Sequence, residues 1–377
     1  MKIMYIIRKK LTSDYVVCED SILIADHDKF RYLKLQGNEL VKQILDMLDC
    51  GGMLLSDLNQ KLGEDGADPR KVSEILEKLI GLEIVVCDYF PDNFPRQKGN
   101  KQKVLEREYS NRFGLQIAAL KTLETKECSR FEIFEAIQKS EVTIIGAGGI
   151  GCNIAVMLAA MGINKLRIID GDIVEESNLI RQIFFRESDC GTTPKVMAIK
   201  RFINEFNSNI EVEAINEFIS SEKVAERLLQ NSKLIIQTAD KPKGKIDRMV
   251  SRVCVRNKIP VLFTHNQTVG PIYIPGKSLC FDCFEAHVNQ QSKELYSQLI
   301  DNMPDTVDSV YPAIVTGPWA LSLHLISEIL RYLIPNQICK SQNCLISYRN
   351  GVEERLPFDA CNKCQNCESK EYCYVDL

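Results

Sequence analysis

No apolar run in this 377-residue chain approaches the roughly 20 residues of a membrane span. Its opening, Met-Lys-Ile-Met-Tyr-Ile-Ile-Arg-Lys-Lys, leaves only five residues between Lys2 and Arg8, too few for an export signal, and reads as a strand. Without export, the fifteen cysteines are expected as thiols in a reducing, cytoplasmic setting, either packed in the core or bound to metal. A strong charge is missing too: the net charge of -4 argues against a nucleic-acid polymer as the main partner. No internal repeat is visible. What the chain does have is 45% apolar residues, enough for one large core or two smaller ones.

The rest is organised around residues 142–172. Val142 to Ile145 is a short apolar run expected as a buried parallel strand, Gly146, Gly148, Gly149 and Gly151 form a tight turn, and Ile150 to Met161 follow a helical pattern. Leu166 to Ile169 is a second strand, closed by Asp170. Such a turn lets backbone N–H groups approach a phosphate at a helix N-terminus, and a carboxylate at the position of Asp170 can hold a ribose hydroxyl. These residues alone leave NAD, FAD and ATP open.

Before this stretch, residues 1 to about 90 read as a separate α+β unit. Ser21 to Leu35 alternates as a hairpin, and helical patterns cover Asn38–Leu48, Leu55–Leu62 (opened by Ser56 or its neighbour) and Pro69–Ile80, the last capped by Asp68. A strand is expected over Leu82–Cys87. This order suggests a winged helix. Twelve Lys and Arg against sixteen Asp and Glu make it a poor reader of DNA, where phosphate contacts dominate affinity. With Tyr32-Leu33-Lys34-Leu35, Gly37-Asn38-Glu39 and Val72–Leu79 running into Gly81-Leu82, the unit resembles the PqqD-type peptide-recognition winged helix. The resemblance implies that a leader peptide adds as a strand to the hairpin edge; the alternative is a structural or dimer-forming module. Residues 91–105, with their prolines and charges, read as a linker, and 106–377 as the second domain. There strand and helix patterns alternate: Lys195–Phe206, Glu211–Ala214, Glu222–Leu229, Leu234–Thr238, Lys245–Arg256 and Val261–Thr264. The expected fold is α/β, a doubly wound, mostly parallel Rossmann-like sheet.

After Asp170 come Asp172, Ser177-Asn-Leu-Ile-Arg-Gln182, Gly191-x-x-x-Lys195 and Thr238-Ala-Asp240. A dinucleotide oxidoreductase has no evident need for this cluster, whereas a triphosphate does. With the glycine loop, the set resembles the E1-like activating enzymes, the ThiF, MoeB and ubiquitin-activating family, which adenylate carboxylates. The resemblance implies that Asp170 holds the ribose, Asn178, Arg181 and Lys195 the triphosphate, and Gln182 the phosphate loop, while Asp240 binds Mg²⁺. For Asp172 a turn or cap role stands beside nucleotide binding. The resemblance also implies a homodimer in which an arginine of the partner's N-terminal segment reaches the phosphates; Arg107 and Arg112 are the candidates here.

Cys280-x-x-Cys283 and Cys361-x-x-Cys364 can each present two thiolates to one tetrahedral Zn²⁺, and Cys364-x-x-Cys367 competes for the tail pair. The family places a structural zinc at this location. From His287 to Tyr311, where ubiquitin-like-protein activators often carry a catalytic cysteine, there is none, which disfavours a thioester step. Cys190 and Cys254 are expected to pack, and His265 either faces the site or is structural. Ser-Asn-Leu-Ile-Arg-Gln-Ile-Phe-Phe, Ala-Asp-Lys-Pro242 and Gly270–Lys277 before Cys280 are similar to members of the microcin C and pantocin A type, which modify ribosomally made peptides. That likeness implies a precursor peptide as partner; activation of a sulfur-carrier or ubiquitin-like protein is the alternative. Ala313–Ile334 is expected as a core or dimer-interface helix.

Overall fold

The structure, a computed structural model, describes residues 4–9, 13–26, 29–36, 39–49, 53–90, 112–125, 128–265, 267–304, 313–335, 337–349, 352–360 and 364. The chain divides into two compact units, Met1–Leu115 and Gln116–Leu377.

In the first unit the order is β1 (Met4–Lys9), β2 (Ser13–Val17), β3 (Ser21–Asp26), β4 (Arg31–Gln36), α1 (Glu39–Asp49), β5 (Met53–Leu54), α2 (Leu55–Glu64), α3 (Pro69–Gly81) and β6 (Val85–Phe90). Strands β2-β3-β4 form one antiparallel sheet and β5-β1-β6 another. The expected hairpin is β3–β4, paired from Ser21↔Gln36 to Asp26↔Arg31, with β2 added on its far side. Val41, Ile44, Leu45 and Leu48 of α1 and Val72, Leu76 and Leu79 of α3 recur at helical spacing and meet Ile7, Ile22 and Ile24 in one core. Each such fully buried aliphatic side chain contributes about 1.5–3 kcal/mol. Asp68 caps α3 by accepting from the Arg70 N–H at 2.9 Å, with Pro69 in the first turn.

Helix α2 starts at Leu55, the neighbour of Ser56 and not Ser56 itself; its N-cap Leu54 makes no side-chain bond, and the Ser56 hydroxyl donates to Asp57. One local expectation is corrected. Leu82 does not start a strand: it caps α3, Glu83 turns left-handed at φ 58°, and β6 begins only at Val85.

Helix α4 (Gly114–Ala119) starts at the boundary between the units, followed by α5 (Arg130–Lys139), β7 (Glu141–Ile145), α6 (Gly149–Met161), β8 (Lys165–Ile169), α7 (Lys195–Phe206), β9 (Glu211–Ile215), α8 (Glu222–Leu229), β10 (Leu234–Gln237) and α9 (Lys245–Arg256). Then come β11 (Val261–His265), β12 (Thr268–Tyr273), α10 (Phe281–Gln291), α11 (Leu295–Asn302), α12 (Thr316–Leu333), β13 (Cys344–Arg349) and β14 (Val352–Pro357). These strands build one eight-stranded sheet, ordered β14-β13-β12-β11-β10-β7-β8-β9. Strands β11-β10-β7-β8-β9 are parallel, and β12, β13 and β14 extend the sheet antiparallel.

Both faces are buried, which explains why the central strands read as continuous apolar runs. Val142, Ile144, Leu166, Ile168, Leu234 and Ile236 pack on one face with residues of α6, α7 and α12. Ile145, Ile169, Ile235, Val261 and Phe263 pack on the other with α8, α9 and α10. The helix expected over 313–334 is thus a core helix from Thr316, its Leu321, Leu325 and Ile329 buried. The thiol of Cys254 is fully buried, as expected, and Cys190 packs half-buried on the first of these cores.

Candidate functional site

The site is set by strand register. Ile145 of β7 pairs with Ile169 of β8 on one side and Gln237 of β10 on the other, so the segments beginning at Gly146, Asp170 and Thr238 leave the sheet at one edge. The chain runs from β7 to β8 and β9 in one direction, then crosses to β10 beyond β7. This reversal between β7 and β10 is a topological switch point, where open α/β sheets bind ligands beyond the carboxyl ends of their strands.

Two glycines of the loop are required by packing and one by access. Gly146 has φ +97°, and a Cβ there would meet the Ala239 nitrogen at 2.8 Å; a Cβ at Gly151 would lie 1.9 Å from the Gly146 carbonyl oxygen. At Gly148, the N-cap of α6, a Cβ would meet nothing within 4 Å. That open space stands before the helix's first N–H groups, which have no side-chain cap, and is a cradle that fits a phosphate. The loop is pinned from below: Gly146 N–H donates to Ile169 O at 2.8 Å, and the Cys152 thiol, raised in pKa by burial, donates to Ala147 O at 3.2 Å.

Asp170 ties this loop to the next. Its Oδ2 accepts from Ala147 N–H at 2.6 Å and its Oδ1 from Asp172 N–H at 2.7 Å. Burial raises its pKa, against the charge of Lys195 and these two bonds. Each carboxylate oxygen keeps a lone pair that could accept from a further hydroxyl. Gly171 packs under the half-exposed ring of Phe218, whose Cδ2 lies 2.5 Å from where a Cβ would stand.

Asp172 has a role that its position in the sequence left open. It accepts Lys195 Nζ at 2.8 Å, and its carbonyl accepts the Lys195 N–H at 2.9 Å. Lys195, 8% exposed at the start of α7, is therefore held at both ends by one residue. Asn178 and Gln182 are buried and Arg181 half-buried. The Asn178 amide oxygen accepts from Glu175 N–H at 3.1 Å, and Arg181 Nη1 donates to Ser177 O at 2.9 Å. The Arg181 stem lies 3.6 Å from a Cβ position at Gly149, placing it beside the α6 N-terminus. Gln182 buries an Oε1 with no hydrogen-bond partner among the described residues.

Asp240 follows β10 with its side chain exposed. Thr238 Oγ1 donates to Ile145 O at 2.8 Å and Gly146 O at 3.1 Å, locking the Asp240 segment to the glycine loop. One exposed carboxylate beside a phosphate cradle suits Mg²⁺, which is commonly held by one or two carboxylates plus substrate phosphates. Sequence reasoning placed Thr238 in the Thr238-Ala-Asp240 motif without giving it a role and missed Gln237; the available signal was a polar pair ending an otherwise apolar strand.

A second cluster gathers Cys280, Cys283 and Cys364, with all three sulfurs within 4.8 Å of one another. The Cys280 and Cys364 sulfurs are 3.4 Å apart and those of Cys280 and Cys283 4.0 Å. Three converging thiols fit a tetrahedral zinc. Cys361 and Cys367, the competing fourth ligands, lie outside the described residues, as do Arg107 and the His265 side chain. Arg112 is half a turn before α4 and exposed. Among the described residues no helix is long and apolar enough to cross a membrane.

The sequence profile of the ThiF family matches residues 118–369. The chain is 26% identical to the sulfur carrier protein ThiS adenylyltransferase of Bacillus subtilis, over 64% of this chain and 71% of the relative. It is 28% identical to SUMO-activating enzyme subunit 2 of Dictyostelium discoideum over 42% of its own length, and spans only 24% of that protein. Among solved structures, E. coli MccB with AMPCPP and MccA superposes with a TM-score of 0.62 at 19% identity, covering 96% of this chain and 99% of that one. PaaA superposes with a TM-score of 0.57 at 23% identity, covering 76% and 92%. At these identities the likeness is one of fold: an α/β unit with a large, mostly parallel sheet and a β-rich N-terminal unit with helices.

Proposed function

The chain belongs to the ThiF family, and from that premise we propose that it is an ATP-dependent enzyme that adenylates a carboxylate, or a terminal amide, of a ribosomally made precursor peptide. A substrate oxygen attacks the α-phosphorus of ATP; the new O–P bond forms as the bond to the β-phosphate oxygen breaks and pyrophosphate leaves. The α6 N-terminus and the space at Gly148 receive the phosphates, Asp170 the ribose, and Asn178, Arg181 and Lys195 the charge that builds in the transition state, with Gln182 behind the loop. Mg²⁺ on Asp240 would supply further charge neutralisation. Preorganised groups of this kind are worth several kcal/mol each. The acyl adenylate is then trapped by a nitrogen of the same peptide, closing a ring or imide and releasing AMP; intramolecular geometry makes an enzyme nucleophile unnecessary.

The observation that carries a peptide substrate is the first unit. Among the described residues strand β4 is a sheet edge, and Arg31 at its start donates to Leu82 O at the end of α3 and to Asp26, so this edge begins beside the third helix. An extended leader can add there. Exposed Ile173, Ile180, Ile183 and Met197 border the phosphate residues in sequence and support a homodimer interface. In it the partner's N-terminal segment, through Arg107 or Arg112, completes the site. Cys280, Cys283, Cys364 and either Cys361 or Cys367 hold a structural Zn²⁺. The likeness to the ThiS adenylyltransferase supports a second reading, activation of a carrier protein.

ATP–pyrophosphate exchange by the full chain separates the two. Exchange stimulated by a candidate precursor peptide and not by a carrier protein ending in Gly-Gly is the expected result; stimulation by the carrier alone would establish the second reading. AMP release in the absence of exchange would point to an irreversible first step.

A further inference from the structure

Gln237, the last residue of β10, is fully buried in a strand that otherwise reads Leu-Ile-Ile. A buried amide is costly unless its hydrogen bonds are made, and these are made in one place. Nε2 donates to Ala239 O and to Asp247 Oδ1, both at 2.9 Å, while Oε1 accepts from Ala239 N–H at 3.3 Å. One side chain thus grips residue 239 by both its N–H and its C=O. The C=O belongs to the peptide group whose N–H is that of Asp240.

The orientation of the amide is determined by its surroundings. Asp247, on α9 and 4% exposed, accepts at Oδ1, so Nε2 must face it and Oε1 must face the Ala239 N–H. Meanwhile Thr238 holds the same segment to the carbonyls of Ile145 and Gly146. The backbone entering Asp240 is therefore fixed relative to the glycine loop, although the Asp240 side chain itself is exposed.

We propose that Gln237, oriented by Asp247, is a positioning residue that sets the Asp240 carboxylate against the nucleotide's metal-bound phosphates. The proposal rests on the reading of Asp240 as the Mg²⁺ ligand given above. A glutamate in place of Gln237 keeps the shape and can still accept from Ala239 N–H, but it offers no more than one donor where two are needed. Adding Asp247→Asn restores a donor–acceptor pair between the two side chains, yet Ala239 O still has none.

The test is Mn²⁺ binding to the full chain in the presence of a non-hydrolysable ATP analogue, with free Mn²⁺ read by electron paramagnetic resonance and folding by thermal melting. Gln237→Glu is expected to weaken Mn²⁺ binding at least tenfold. Gln237→Glu/Asp247→Asn is expected to recover the melting temperature but not the Mn²⁺ affinity. Recovery of both would reduce Gln237 to a structural role, and unchanged affinity in Gln237→Glu would sink the proposal outright. Asp240→Ala is the control: if it binds Mn²⁺ as the parent does, the metal assignment to Asp240 is what failed, whatever the Gln237 variants do.

Discussion

Asp170 and Asp189 lie in one stretch of the chain and both accept backbone N–H groups, yet their surroundings drive them in opposite directions. Asp189, 2% exposed, receives Arg201 Nη1 and Nη2 at 2.9 and 2.7 Å and the Arg186 N–H at 2.9 Å; the Arg201 pair holds its carboxyl below the usual range. Among the described residues Asp170 has no guanidinium partner, only two backbone donors and the more distant charge of Lys195, and burial pushes its carboxyl up. The first carboxylate is saturated and braces the turn before α7. The second is held in place and left short of partners, which is what a ligand-binding group requires. The same contrast separates Arg201, committed to Asp189, from Lys195, whose ion-pair partner Asp172 has a side chain 37% exposed to solvent.

Substitutions on each side should divide cleanly between activity and stability. On the proposed role of Lys195, Lys195→Met should cut pyrophosphate exchange by about a hundredfold or more, the loss expected when a charge that stabilises the transition state is removed, with little change in melting temperature. Asp189→Asn should do the reverse, costing about 2–3 kcal/mol by leaving Arg201 without its bidentate partner while nucleotide affinity stays near that of the parent. Asp170→Asn should fall between: about 1 kcal/mol, because an amide cannot accept at both positions, with a tenfold or larger loss in nucleotide binding measured calorimetrically.

The pH dependence sharpens the contrast further. Asp189 has a folded pKa below its unfolded value of 3.8, so its contribution is fully present above that value and is lost as the pH falls through the folded pKa. Melting from pH 7 down to 3 should show the deficit of Asp189→Asn holding steady to about pH 4 and shrinking below it. Asp170 has the opposite sign: its folded pKa lies above 3.8, and its ionisation costs stability as the pH rises through that window. The deficit of Asp170→Asn should therefore grow on acidification, a small effect set against the first three.

Legibility in the sequence followed the range of the interactions. The unit β7–α6–β8 was readable because an apolar run, a glycine turn and a helix pattern are local signals, and α6 ends at Gly162 in the left-handed conformation that glycine favours. The Asp68–Pro69 start of α3 was readable for the same reason. Strands β2, β12, β13 and β14 were not foreseen. β14, Val-Glu-Glu-Arg-Leu-Pro, is exposed along its whole length and owes its conformation to pairing with β13. Ser56 carried a cap signature that the observed start of α2 at Leu55 left unused.

The residue types gathered at the sheet edge and at the cysteine cluster, and their order, are legible in the sequence alone, because the proposed phosphate, ribose and zinc ligands would each demand particular chemistry at particular spacings. Only the tertiary structure decided which of those residues hold one another. Asp172 grips Lys195 and Gln237 grips Ala239 under the orientation of Asp247, while Cys364 reaches Cys280 from the end of the chain. The physical reason is that a hydrogen bond or a shared metal site depends on ångström-scale distances between atoms. Those distances are set by the register of β7, β8 and β10 and by the packing of α7 and α9, and no local pattern in the chain encodes them.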